Sequence, residues 1–367
     1  MRSTIAQINT LYLRQNFRSL RSLAPNSAIM PMVKANAYGH GIIECSEILS
    51  QEGADFLGVA FASEGILLRQ AGNDTPIVVM TPPEPNELSE FVEHNFQAIA
   101  CSAETVQKIS IEAKKQNKIA QLHLYIDTGM SRDGIMPQDA LEFMHKTNAL
   151  SNIEWTGICT HFATSDENNT SFAEFQLNLF NQVIENLRQN GFSFPHTHAA
   201  NTAAIAHLPF AQFNLIRPGL SLHGCAPTNE LAYELHLKPT LTLKSSILSL
   251  RRVPKGTPVS YGRRYYTTQE TTIATIPIGY GDGYFRSLIG KAECLIRGKR
   301  YSIVGTICMD ECMVDVGNDT VEYGDEVMLI GKQGNEIITA NQIAQQCGTI
   351  PYEVLTAISA RVPRVYL

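Results

Sequence analysis

The chain has 367 residues, 44% of them apolar and 17% charged, with 29 Lys and Arg against 35 Asp and Glu. That supplies a large core and little material for disorder, and a formal net charge of −6 excludes a binder of nucleic-acid backbone, which needs a basic surface to displace counterions. No uncharged apolar run reaches the roughly 18 residues that span a bilayer, and the first residues lack the apolar core of a signal peptide. A cytoplasmic globular protein of two domains, at roughly 150 residues per domain, is therefore expected. The eight cysteines are scattered, none in a C-x-x-C pair and several inside apolar runs. They read as small buried hydrophobes rather than metal ligands or disulfides.

The chain opens with a short predicted strand and a helix. Eight apolar runs follow, at 29–33, 56–60, 76–80, 96–101, 122–126, 155–160, 194–198 and 213–216, separated by amphipathic stretches. In the stretch 171–190, Phe172, Phe175, Leu179 and Ile184 recur near helical spacing. Continuous apolar runs between helices mean parallel strands buried on both faces. Eight such units predict a (β/α)8 barrel rather than an open sheet, with 194–198 the poorest strand by propensity. After Pro227 the texture turns β-rich and is punctuated by Gly and Pro, helical pattern returning only near 339–347 and 352–360. The expected fold is α/β: an N-terminal (β/α)8 TIM barrel over 1–230, then a mostly β domain over 231–367.

Barrel chemistry sits at the C-terminal ends of the strands. Just past the runs stand Lys34, Asp127 with Arg132, His161, Asn201 with Thr202, and Arg217. Lys34 directly follows an apolar run and opens the glycine-containing loop 34–41. Partial desolvation there lowers an amine pKa from about 10.4 and favours a neutral nucleophile suited to a Schiff base. The ends of the seventh and eighth runs, where barrels often hold a phosphate, read His198-Ala-Ala-Asn201-Thr202 and Arg217-Pro-Gly219-Leu220. They offer hydroxyl, amide and backbone donors. A Schiff-base lysine with a phosphate cradle suggests pyridoxal phosphate. His196 and His198 have the spacing of a metal pair, but no further ligands cluster near them, so no metal is expected.

These residues resemble the alanine racemases, pyridoxal-phosphate enzymes of fold type III. The resemblance runs in order through 33–41 (VKANAYGHG), 127–132 (DTGMSR), 160–163 (THFA), 198–201 (HAAN), 217–219 (RPG), 259–262 (VSYG), 278–280 (IGY), 308–310 (CMD) and 351–353 (PYE). It covers essentially the whole chain. It implies that Lys34 holds the cofactor, while Tyr38, Asn201, Thr202, Tyr352 and the backbone near Gly219 and Leu220 hold its phosphate. His161 would pack on the pyridine ring, and His198 would orient Arg217 toward the ring nitrogen. A guanidinium only donates, so that nitrogen should stay unprotonated, which weakens the ring as an electron sink and disfavours transamination.

The resemblance further implies a homodimer with shared active sites. Lys34 on one face of the substrate Cα and Tyr261 of the partner on the other would exchange protons, with Met309 also reaching across. Arg132 would support the substrate, and Tyr280 and Asp310 would narrow the entrance. The activity would be interconversion of L- and D-alanine, supplying D-alanine for cell-wall peptidoglycan. One departure stands out: many members carry a carbamylated lysine seven residues before the motif arginine, and here that residue is Tyr125. A chloride, a water network or the phenol itself would then hold Arg132. A catalytically silent cofactor-binding barrel would lack the β domain with its tyrosine, and a fold-type III decarboxylase would place an acid where Arg217 stands.

Overall fold

The computed structural model describes residues 2–226, 231 and 235–367. Strands stand in all eight apolar runs: Ala28–Ile29, Leu57–Val59, Ile77–Val79, Gln97–Ala100, Ala120–Tyr125, Ile153–Cys159, His196–His198 and Leu215–Ile216. The six from Leu57–Val59 to His196–His198 lie side by side, parallel and in chain order. The first and last of the eight also pair in parallel, and Met32 bridges to Gly58. At the remaining seam, the Asn214 side chain accepts from Thr197 N and donates to Pro195 O, both at 2.7 Å. Beyond it Arg217 N donates to Ala200 O at 2.9 Å. The sheet therefore closes on itself as the expected barrel. His196–His198 is a strand because the neighbouring backbone pairs with it, a tertiary override of weak propensity.

Helices cover the barrel, and their buried residues join the strand side chains in one apolar core. In Ser171–Gln189 the buried stripe is Ala173, Gln176, Leu177, Phe180, Val183 and Leu187. Phe172 and Phe175 face outward instead. Both phases fit helical spacing, and the one matching the barrel surface wins.

The β-rich part forms its own core around a sheet of ten strands among the described residues. The predicted first strand, Ile5–Ile8, belongs to this sheet. It runs antiparallel to Leu241–Ser246 and parallel to Arg364–Tyr366. The expected boundary between 230 and 231 falls beside 227–230 and 232–234, outside the described residues. Among the described residues no helix is long and apolar enough to cross a membrane, and no group of three metal-ligating side chains gathers.

Candidate active site

Lys34 leaves the first barrel strand and enters an unusual turn. Ala35, Asn36, Ala37 and Tyr38 have φ of 52°, 56°, 51° and 54°, a left-handed helical turn built without glycine. Each such L-residue costs roughly 1–2 kcal/mol, so the surroundings must hold it. Glu64 Oε1 accepts from Ala35 N at 2.6 Å, and Asn36 Oδ1 accepts from Ile42 N at 2.9 Å. From the β-rich part, Arg364 Nε donates to Gly39 O and Tyr366 Oη to His40 O, both at 3.0 Å. The turn brings Lys34 and Tyr38 into one cavity of about 340 Å³.

Arg132, His161, Asn201, Thr202, Arg217, Gly219, Leu220 and Tyr352 line the same cavity. With Tyr125, eleven residues singled out from the sequence thus meet at one barrel mouth. Burial lowers the Lys34 amine, and the charges of Arg132 and Arg217 lower it further against an opposing pull from Glu64. Burial and the same two arginines push His161 down to about 3, leaving it a neutral ring.

Arg217 is only 4% exposed. Its Nη1 meets His198 Nδ1 at 2.7 Å, and its Nη2 donates to Thr160 O at 2.9 Å and Ala199 O at 3.1 Å. Nη2 also lies 3.1 Å from His161 Nδ1. These contacts fix the guanidinium at the cavity wall from behind. His198 does not line the cavity; it stands behind Arg217.

The donor set fits a phosphate. The Tyr38 and Tyr352 rings lie 6.0 Å apart, and neither hydroxyl has a partner among the described residues. Burial pushes Tyr352 up to about 12 and Tyr38 higher still, so both stay O–H donors. Asn201 caps the helix Thr202–His207 through its oxygen, which leaves its amide N–H groups free. Thr202 Oγ1 accepts from Gly219 N at 3.3 Å and lies 3.0 Å from Ser221 Oγ. A Cβ on Gly219 would sit 2.3 Å from Tyr38 Oη, so only glycine lets that hydroxyl into the cradle.

At the departure from the family pattern, Tyr125 lines the same cavity as Arg132. Burial and Cys159 raise this phenol to about 12, while the charges of Arg132 and Arg217 pull it down. Arg132 Nε also meets Asp133 Oδ2 at 3.3 Å.

Four sequence candidates lie apart from this cavity. Tyr261 is 75% exposed and borders a separate hollow with Cys308, Glu311 and Met313. Its loop is rigid: Ser260 has φ 64° and ψ 179°, a region nearly reserved for glycine. Ser260 Oγ donates to Thr306 O at 2.6 Å, and Thr306 Oγ1 donates to Tyr261 O at 2.7 Å. Met309 and Tyr280 are exposed; Tyr280 N donates to Cys308 O at 3.0 Å and Gly281 N to Met309 O at 2.9 Å. Asp310 pairs with Arg361 at 2.6 Å, and Arg361 with buried Asp282 at 3.3 Å.

Sequence reasoning missed Met32, Met80, Thr81 and Asp133, which also line the cavity. It also missed His123 and Gln97, which stand behind His198. A His within the apolar run 122–126 and a Gln within the apolar run 96–101 were the available signal.

An amine past the first strand, a donor-only arginine and a set of hydroxyl, amide and backbone donors meet at one mouth of a barrel joined to a β domain. The family models called alanine racemase N-terminal domain and alanine racemase C-terminal domain match residues 8–227 and 240–366. The chain belongs to the alanine racemase family. An alanine racemase of Carboxydothermus hydrogenoformans is 43% identical over 369 residues, covering all of both chains. A solved alanine racemase of Clostridium difficile superposes with a TM-score of 0.95 at 37% identity, covering 100% of this chain and 96% of that one. The Bacillus anthracis alanine racemase with bound L-Ala-P superposes with a TM-score of 0.95 at 33% identity, covering 100% and 95%.

Proposed function

We propose that this protein is a pyridoxal 5′-phosphate-dependent isomerase that interconverts L- and D-alanine. The observation that carries the reading is the meeting of a half-buried, pKa-lowered Lys34 with donor-only Arg217 in one cavity. The L-Ala-P bound by the Bacillus anthracis relative supports alanine as the substrate. When bound, pyridoxal phosphate supplies an electron-withdrawing ring that acidifies the Cα of an attached amino acid.

This chain's residues do the rest. Lys34 holds the cofactor and moves a proton at one face of the substrate Cα. Tyr38, Asn201, Thr202, Tyr352 and the backbone at Gly219 and Leu220 bind the phosphate by donors alone. Neutral His161 packs on the pyridine ring. Arg217 donates to the ring nitrogen and opposes its protonation. Arg132 supports the substrate; the backbone N–H of Met309 reaches across to the substrate carboxylate in the partner subunit's site, and Tyr280 with Asp310 narrows the entrance.

The second base is Tyr261, delivered to the opposite face of Cα by a partner subunit in a homodimer. Its exposure on a rigid, strained loop outside its own chain's cavity supports that arrangement. The β domain of 231–367 thus supplies Tyr352 to its own chain's barrel of 1–230 and Tyr261 to the partner's site. The setting is cytoplasmic, with D-alanine used for peptidoglycan. The test is racemisation of a panel of amino acids by the cofactor-loaded protein. L-Alanine should yield D-alanine, Lys34→Ala should abolish turnover, and Tyr261→Phe should lose more rate from the L than from the D enantiomer. Equal rates from both sides in Tyr261→Phe would refute the two-face assignment, and no racemisation at all would refute the function.

A further inference from the structure

Arg217 can only donate, so it binds only a ring that presents a lone pair to it. His198 Nδ1, 2.7 Å from Arg217 Nη1, must present its lone pair. His198 Nε2 lies 2.8 Å from His123 Nδ1, and His123 Nε2 lies 2.7 Å from Gln97 Oε1. Both imidazoles are fully buried and Gln97 nearly so, so each contact has to pair one donor with one acceptor. A neutral His198 accepting at Nδ1 carries its proton on Nε2 and donates it to His123 Nδ1. His123 then carries its own proton on Nε2 and donates it to the Gln97 oxygen. Reversing the sense would set an N–H of His198 against the guanidinium. Burial, with the nearby charge of Arg217 and with His196, pushes His123 down to about 3, and His198 is lowered further for the same chief reason. Both rings are therefore neutral.

The relay is also fixed sterically. His123 stands in register with Gly157 on the next strand. A Cβ at Gly157 would lie 2.2 Å from His123 Nδ1, so the ring occupies room that only glycine leaves. Its far end is pinned by the Gln97 amide, which Thr156 Oγ1 also contacts at 3.3 Å.

We propose that His123 and Gln97 are positioning residues of the active site, which act through His198 to impose the one tautomer that Arg217 can bind. The inference rests on the role given above to Arg217 beside the pyridine nitrogen. Gln97→Leu removes the last acceptor. The His123 proton then moves to Nδ1, His198 switches to match, and its new Nδ1–H faces Arg217, which is displaced. Gln97→Glu keeps an oxygen acceptor in place and so keeps the sense of the relay.

The test is histidine ¹⁵N NMR of the full-length protein, recorded with and without bound pyridoxal phosphate, beside visible absorbance of the loaded protein. In the parent protein His198 and His123 should both carry the proton on Nε2 and stay untitrated from about pH 5 to 8. Gln97→Leu should move the His198 proton to Nδ1 and shift the cofactor's visible band. Racemisation should fall on the order of tenfold, the scale for losing an orienting bond to a charged group. Gln97→Glu should restore all three. An Nδ1–H on His198 in the parent protein would overturn the proposal without any variant. So would Gln97→Leu with an unchanged His198 pattern and an unchanged band. A parent protein that takes up no pyridoxal phosphate would overturn the functional reading, and this role with it. One that takes it up yet shows the opposite tautomer would overturn the relay alone.

Discussion

Replacing Gly219 by alanine tests the cradle directly. The new Cβ would stand 2.3 Å from Tyr38 Oη and 3.0 Å from its Cζ. Non-bonded heavy atoms need about 3.5 Å, so the hydroxyl must retreat by roughly 1 Å. A hydrogen bond of about 2.7–2.8 Å stretched by that amount is no longer one. Losing one bond to a charged acceptor costs about 1.5–3 kcal/mol, or roughly 10- to 150-fold in affinity for pyridoxal phosphate. The assay is titration of the cofactor-free protein followed by visible absorbance, with Tyr38→Phe and the double variant completing a cycle. If the alanine acts through the Tyr38 hydroxyl, Gly219→Ala should weaken binding strongly in the parent and by little more than twofold on the Tyr38→Phe background. Equal losses on both backgrounds, or unchanged affinity in the single variant, would refute the assignment of Tyr38 to the phosphate.

Gly157→Ala should lower stability by about 1–3 kcal/mol through overpacking against His123; an unchanged melting temperature would mean that the ring has room to move. Burial holds His40 at about 4 and His123 at about 3, below the roughly 6.5 of an unfolded chain. The unfolded chain therefore binds protons that the folded one refuses, and stability should fall as pH drops below 6.5 toward these values, by about 3 kcal/mol for His40 alone near pH 4. Denaturant midpoints from pH 7 to 5 check this, and a flat series contradicts it. Tyr125→Phe removes the phenol beside Arg132 and should raise KM for alanine about fivefold with kcat nearly unchanged; a fall confined to kcat would argue against this substrate role for Arg132. Lys34, Arg132 and Arg217 line one cavity, so titration with chloride should alter activity, and a flat response would remove the idea of an anion held at Arg132.

The barrel was legible because strands buried on both faces must be apolar throughout, and the chemistry of such a fold gathers at known strand ends. Lys34, His161, Asn201 and Arg217 could be placed by that logic alone. The left-handed turn at Ala35–Tyr38 could not: it has no glycine to signal it, and its support comes from Glu64, Arg364 and Tyr366. Ile5–Ile8 reads as a strand, but its partners are remote in the sequence, so its place in the β-rich sheet was invisible. The outward turn of Phe172 and Phe175 shows the limit of spacing, since a helical period gives the phase of a face only when the opposing surface is known. His123 and Gln97 come together only through the register of adjacent strands.

The clamp on the lysine loop has a consequence for how the protein is made. Arg364 grips a carbonyl 325 positions earlier in the chain, and the strand that carries it closes over Ile5–Ile8. A ribosome will have released nearly all of the barrel before either contact can form. Until then the backwards-coiled turn lacks these two restraints. Nascent chains stalled short of residue 364 should therefore bind pyridoxal phosphate more weakly than the full chain, even where the barrel is already protease-resistant.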